Sequence, residues 1–378
     1  LSEGLDAVRL GVNTLFYLPG EVGGSETYLL ETLRALTRRD DVPELVLFAN
    51  LENAEKLRAE FPGAEVIELR VAATNRYSRI VVEQLRLPWL VKRACVDVLW
   101  SPGYTAPAVC ACPQVATLLD MQYKRFPEDV SWLAARTMDV LYPLAAWRSR
   151  TVVAISEFSK SEIASFIGIA PSKIAVTYPG VDPAFGEAAG PPPGEVRGRP
   201  YLLCVAHSYP HKNLALLIRA FGRLTGEFPH RLVLVGKPRR GEAEVKAALE
   251  GIPRGDVVRL RELPCQSMRP LYQGADWFVF PSLYEGFGLP VLEAMAAGVP
   301  VLTTREGAIS EVGGDAVRYA DGRDEAAFAA AMREAIQLPR EDRTRLVRMA
   351  KTRAASFTWE ASAAGLWQVL VKVAGCMP

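Results

Sequence analysis

Short runs of consecutive apolar residues alternate along this chain with longer stretches whose apolar positions recur every three or four residues. The runs at 8–13, 44–49, 64–69, 96–100, 114–119 and 151–155 read as strands, and 25–36 carries helical spacing between the first two. The same rhythm returns at 201–206, 231–236, 257–260, 277–281 and 299–303. Strands that are apolar at successive positions belong to parallel sheets covered on both faces. Their alternation with helices predicts βαβ units and doubly wound α/β domains.

Between the two series lies 179–200, where 11 of 22 residues are Pro or Gly, including Pro191, Pro192, Pro193 and Gly194. Such a stretch extends neither a helix nor a central strand, so it reads as a linker. It divides the chain into domains at 1–180 and 181–358. A final amphipathic helix at 359–378 has Leu366, Val369, Leu370 and Val373 on one side. A chain of 378 residues can bury two such cores. No internal repeat or long low-complexity tract interrupts the pattern.

Composition narrows the classes. The 44 Lys+Arg balance 43 Asp+Glu, without the basic excess of a nucleic-acid binder. The uncharged stretch 104–119 is broken by Pro107, Pro113 and Gln114, too short and interrupted to span a bilayer. Residues 1–6 lack the basic and apolar regions of a secretory signal. Cys95, Cys110, Cys112, Cys204, Cys265 and Cys376 are scattered through a well-cored chain, which reads as reduced thiols in a cytoplasmic protein.

The densest chemical signal runs from Phe280 to Pro300, FPSLYEGFGLPVLEAMAAGVP. Pro290 suits a helix start and Gly298 with Pro300 its end, so a short helix follows a strand and a glycine-rich loop. The N–H groups from about Phe287 to Val291 then face the strand's C-terminal edge, a place suited to a diphosphate. Glu285 in the loop and Glu293 in the helix, with seven residues between them, can each accept hydrogen bonds from vicinal hydroxyls of a sugar or a ribose. Taken alone, Glu285 would read as a solvated loop residue and Glu293 as a partner of the helix N-terminus. The glycines, the proline and the spacing together favour a ligand.

This segment resembles the Glu-x7-Glu signature of family-4 retaining glycosyltransferases of GT-B fold. Further landmarks of that family follow in the same order: Gly23-Gly24-Ser25-Glu26, Ile155-Ser156-Glu157-Phe158-Ser159-Lys160, Tyr178-Pro179-Gly180-Val181-Asp182 and Pro210-His211-Lys212-Asn213. The resemblance implies two Rossmann-like domains facing across a cleft, with acceptor bound mainly by the first and a UDP- or GDP-sugar by the second. It implies a last helix crossing back to the N-terminal domain. It assigns Glu285 to the donor sugar, Glu293 to the nucleotide ribose, Gly286, Phe287, Gly288 and Leu289 to the diphosphate, and Lys212 to the same diphosphate. Without the family, Lys212 would read as a surface lysine. The second cation usually found beside that lysine is an Arg. Here His207 or His211 has to serve, and Asn213 reads as the cap of the following helix.

The sequence has no Asp-x-Asp and only three histidines, His207, His211 and His230, so the expected reaction uses neither metal nor cofactor. Cys110 and Cys112 lack further ligands nearby and read as a core pair. Gly23 and Gly24 lie before a helix, either as a flexible turn or as a place where a ligand approaches the backbone. Many family members carry a His-Asp pair after the strand at 114–119; here it is Leu119-Asp120, and the N-terminal domain has no histidine. Asp120 remains as an acceptor-hydroxyl contact or base, or as a strand-end cap.

From 70 to 160 the chain holds 12 Lys/Arg against 7 Asp/Glu, a local net of +5. In 76–93, Arg76, Arg79, Arg86, Lys92 and Arg93 interleave with Ile80, Val81, Leu85, Leu87 and Trp89. Such a segment is either a half-buried helix with a basic face or a peripheral contact with the inner face of a membrane, suited to a lipid-linked acceptor. The implied activity is transfer of a sugar from a nucleoside-diphosphate sugar to an acceptor hydroxyl, with retention, in polysaccharide or cell-envelope glycan synthesis. GDP-mannose is one donor among several. A non-catalytic sugar-nucleotide-binding subunit and a disaccharide phosphorylase are the rival classes.

Overall fold

The computed structural model describes residues 8–21, 23–261 and 263–375. The stretch 1–6 and Cys376 lie outside the described residues, as does the side chain of Cys265. The chain forms two compact units. The first holds residues up to Met121, Trp132–Gly180 and the chain from Trp359; the second holds Gln122–Ser131 and Val181–Thr358.

The first unit is built on β1 (Arg9–Asn13), β2 (Glu44–Ala49), β3 (Glu65–Glu68), β4 (Val98–Ser101), β5 (Gln114–Leu118), β6 (Thr151–Ala154) and β7 (Ile174–Val176), in the order β3-β2-β1-β4-β5-β6-β7. The second is built on β8 (Tyr201–Val205), β9 (Arg231–Val235), β10 (Val257–Leu260), β11 (Trp277–Phe280), β12 (Val301–Thr303) and β13 (Arg318–Tyr319), in the order β10-β9-β8-β11-β12-β13. Every pairing is parallel. Both sheets are therefore Rossmann-like, with strand order reversing between β1 and β4 and between β8 and β11. Two edge strands, β7 and β13, are absent from the sequence reading. At three and two residues they are too short to display a period.

The central strands are buried on both faces, which is why they read as continuous apolar runs; β4, β5 and β11 are buried at every position. Helix Gly24–Thr37 buries Tyr28, Leu29, Leu30, Leu33 and Leu36. The last helix, Trp359–Ala374, lies against it within the first unit: Tyr28 and Trp359 have ring centroids 6.4 Å apart, and Trp367 Nε1 donates to Asp41 Oδ2 at 2.7 Å. Its buried stripe includes Leu366, Leu370 and Val373 as expected, with Trp359, Ala363 and Trp367 in place of Val369. Residues 179–200 contain only two short 3-10 turns, Pro183–Gly186 and Gly194–Val196. The segment 76–93 forms two helices, Arg76–Leu85 and Leu87–Arg93. No helix among the described residues is long and apolar enough to cross a membrane.

Candidate functional site

In the second unit the loops after β8 and β11 emerge side by side at the reversal of strand order, where doubly wound sheets open a crevice. The loop after β11 enters helix Leu289–Ala296 through Gly288 at φ +104°, a conformation that glycine adopts without a Cβ penalty. Pro290 sits in the first turn. The expected row of donors is shorter than the sequence suggests, because Val291 N–H is spent on Gly288 O at 3.0 Å. Phe287 is buried edge-on against Phe357, with centroids 5.7 Å apart.

Glu285 is held in this loop by its own backbone: its carbonyl accepts from Ala308 N–H at 2.9 Å. Gly307, at φ +63°, packs so closely that a Cβ there would lie 2.4 Å from Glu285 O. Only 8% of Glu285 is exposed, which removes the reading of a solvated loop residue. The loop after β8 ends in a 3-10 turn, Pro210–Lys212, and brings Lys212 Nζ to 2.5 Å from Glu285 Oε1 and 5.6 Å from the Phe280 ring centroid. Two residues singled out 73 positions apart thus form one ion pair, largely shielded from water.

Asn213 does not cap the next helix through its side chain. It sits at φ +58° and donates from Nδ2 to Gly322 O at 2.7 Å, tying the turn to the segment after β13. The histidines also depart from the expectation. His207 Nδ1 accepts the Lys237 N–H at 3.0 Å, so that nitrogen faces the backbone. His211 is 2% exposed; its Nδ1 lies 2.5 Å from Asp129 Oδ2, and Gln122 Nε2 donates to the same oxygen at 2.5 Å. The His211 ring packs against Tyr209 and Phe126, each with a centroid distance of 5.8 Å. Asp129, Gln122 and Phe126 were invisible to the sequence reading. Their segment follows a first-unit strand, and no motif marks it as part of the second unit.

Glu293 Oε2 accepts the Tyr272 hydroxyl at 2.7 Å. Burial pushes the Glu293 carboxyl up to about 7, and the neighbouring Asp182 charge adds to this while the Tyr272 hydrogen bond opposes it.

The remaining candidates lie in the first unit. Asp120 follows the buried Leu119, whose carbonyl accepts from Ser159 Oγ at 2.8 Å. Gly23, at φ +58°, precedes helix Gly24–Thr37. Its loop is tied down: Glu26 accepts from Gly20 N–H at 2.8 Å and from Tyr17 Oη at 3.1 Å, and pairs with Lys56 at 3.2 Å. Cys110 and Cys112 sit before β5 with Sγ atoms 3.8 Å apart, packed on a core that includes Leu87 and Val91. Hydrogen bonding from Cys112 lowers the Cys110 thiol to about 7. Among the described residues, no group of three or more His, Cys, Asp or Glu side chains could hold a metal ion.

Two Rossmann-like units in one chain, with an ion pair at the second sheet's crevice, define a protein of GT-B fold. Comparison with known proteins makes this particular. Residues 22–185 match the family model described as Glycosyltransferase Family 4, and residues 199–337 match that described as Glycosyl transferases group 1. The chain is a glycosyltransferase of GT-B fold. Among its relatives, the O-antigen chain mannosyltransferase B of Escherichia coli is 27% identical over 366 residues, spanning 89% of this chain and 93% of that protein. The MMP alpha-(1->4)-mannosyltransferase of Mycolicibacterium hassiacum is 32% identical over 236 residues, 60% of this chain and 56% of that one. Sucrose-phosphate synthase from Thermosynechococcus elongatus superposes with a TM-score of 0.78 at 16% identity, covering 98% of this chain and 100% of that one. The Anabaena protein HepE, solved with UDP and glucose, gives 0.73 at 20% identity, covering 97% and 100%. Likeness at such identities speaks for the fold alone.

Proposed function

We propose that this glycosyltransferase moves a sugar from a nucleoside-diphosphate sugar to an acceptor hydroxyl, retaining the anomeric configuration and needing no metal. The observation that carries this reading is the Lys212–Glu285 pair at the crevice between β8 and β11. In the proposed ground state Lys212 turns to the donor diphosphate and Glu285 orients the sugar hydroxyls. As the bond from the anomeric carbon to the phosphate oxygen breaks, Lys212 and the backbone of Gly286–Leu289 stabilise the growing negative charge. The acceptor oxygen attacks from the same face, and its proton passes to the departing phosphate. Glu293 takes the ribose. In the first unit, Asp120 and the Gly23-Gly24 loop are the candidates for binding the acceptor.

The relatives named as O-antigen mannosyltransferases support a bacterial polysaccharide or cell-envelope glycan as product and GDP-mannose as the first donor to try. A thermal-shift panel with UDP, GDP and ADP tests the donor site. A nucleotide at a hundred times its Kd stabilises the native state by about 2.7 kcal/mol. One nucleotide should shift the wild type and not Lys212→Ala; no shift with any of them overturns the donor site. Glu285→Gln should keep that nucleotide shift while cutting transfer about 100-fold or more. Undiminished transfer removes Glu285 from the mechanism, and NMR of the product anomer checks retention. Leu119, in place of the family's His, favours a second reading as a non-catalytic sugar-nucleotide-binding subunit, which predicts nucleotide binding without turnover. Turnover that needs phosphate and no nucleotide would instead mark a phosphorylase.

The acceptor is lipid-linked in this proposal. Tyr77, Val81, Leu85 and Trp89 are 55%, 54%, 73% and 58% exposed, the first three lying one helical turn apart, while Leu87 turns into the core. Arg86, Lys92 and Arg93 flank them in the open. Exposed aromatic and aliphatic side chains among cations suit an anionic bilayer surface. The protein should pellet with anionic vesicles and not with neutral ones, and Leu85→Asp with Trp89→Asp should abolish pelleting. Failure of the wild type to pellet ends the idea.

A further inference from the structure

We infer that Asp129 is a positioning residue for the Lys212–Glu285 pair, acting through the His211 ring. The inference rests on the role proposed above for that pair.

Lys212 ends a 3-10 turn and is followed by Asn213 at φ +58°, a left-handed conformation that asparagine adopts more readily than other side-chain-bearing residues. A side-chain contact holds the turn on each neighbour of Lys212. On the far side, Asn213 Nδ2 donates to Gly322 O at 2.7 Å. On the near side, the His211 ring is fixed by Asp129 Oδ2 at 2.5 Å, with both side chains almost wholly buried at 3% and 1% exposure.

The His211 anchor also reaches Glu285. The His211 carbonyl accepts the Leu283 N–H at 2.8 Å and lies 3.4 Å from Ser282 Oγ, joining the loop after β8 to the loop that carries Glu285. Phe126, three residues before Asp129, packs between the two loops: its ring lies 5.8 Å from His211 and 6.0 Å from Tyr284, the residue preceding Glu285. Gln122 Nε2 donates to the same Asp129 oxygen. Gln122 Nε2 also lies 3.0 Å from His211 Nδ1, and an ionised Asp129 carboxylate accepts the Nδ1–H, which orients the ring. The segment 122–131 therefore buttresses both donor-side loops, and the carboxylate of Asp129 is its hydrogen-bonded point of attachment.

Removing the Asp129 carboxylate takes from His211 Nδ1–H its acceptor and leaves beside it the Gln122 amide nitrogen, a donor 3.0 Å away, so the turn carrying Lys212 loses the contact that fixes the His211 ring. Small misplacements of a charge-stabilising group act on the transition state more than on ground-state binding. The experiment is steady-state sugar transfer by Asp129→Ala, Asp129→Asn, His211→Ala, the double variant Asp129→Ala/His211→Ala, and Lys212→Ala, with Tm measured on each. Asp129→Ala should lower kcat about 10- to 100-fold with donor KM changed far less. Asp129→Asn keeps an acceptor oxygen for Nδ1–H and should recover most of the loss. In the His211→Ala background, Asp129→Ala should lower kcat no further.

Wild-type kcat in a folded Asp129→Ala protein, with Lys212→Ala inactive, overturns the inference alone. An equal kcat loss from Asp129→Ala with and without the His211 ring overturns it too. If Asp129→Ala does not fold, His211→Ala carries the test, and wild-type kcat there overturns it. Full turnover by Lys212→Ala overturns the underlying role of the pair, and the positioning inference with it.

Discussion

Glu293 is a carboxyl whose behaviour its surroundings change. Burial holds it near 7 from an ordinary 4.5, so its charge changes across physiological pH. Ribose hydroxyls donate, and a carboxylate accepts better than a carboxylic acid. With Glu293 on the ribose as proposed, nucleotide affinity should rise about tenfold from pH 6 to pH 8, as the fraction of ionised Glu293 rises, with a proton released on binding. Calorimetric titration at the two pH values checks this. Tyr272→Phe removes the hydrogen bond that opposes the shift and should move the profile to higher pH. The same shift bears on stability. A carboxyl raised in the folded state contributes most below 4.5, and the benefit is lost as pH rises through about 7. Glu293→Gln should remove that part of the slope between those values, read from urea melts as a function of pH.

At the scale of elements, the loop after β11 depends on one close approach. Gly307 stands at φ +63° with no space for a Cβ between it and the Glu285 backbone. Gly307→Ala combines a left-handed backbone penalty with overpacking and should cost roughly 3 kcal/mol. Lower Tm together with lost transfer is the expected result; an unchanged Tm would show that the loop yields freely. Much of this region was legible in the chain. The strand at 277–281, the glycine-rich loop and the helix opening at Pro290 are local signals, written in adjacent residues. The pairing of Glu285 with Lys212 was not legible as geometry, because nothing in either segment records the other. The histidines show the same limit. Their residue type suggested a cation, while in the fold the Lys237 N–H faces His207 Nδ1 and the Asp129 carboxylate faces His211 Nδ1. Asn213 stands at the N-cap position, as it looked, but its side chain holds a carbonyl distant in sequence and caps no N–H of the helix.

At the scale of the molecule, each unit has its own sheet and core, and the last helix is part of the first unit's core. Trp359 is 4% exposed and packs on Tyr28. Trp359→Ala should cost about 3–5 kcal/mol, all of it in the first unit. Hydrogen-exchange mass spectrometry should show faster exchange in helix Gly24–Thr37, with β8 and β11 unchanged. Equal loosening in both units would contradict the assignment.

The sequence by itself determined the periods: which stretches are buried parallel strands, where a proline- and glycine-rich segment separates two series, and where a carboxylate pair and a lysine follow strands of the second series. These follow from side-chain type and spacing along one stretch of chain. Only the tertiary structure decided that residues 122–131 and the chain from Trp359 change units, that Lys212 meets Glu285, and that His211 is bound to Asp129. Each of these joins groups far apart in sequence, and their energies depend on burial and hydrogen-bond partners that exist only once the chain has folded.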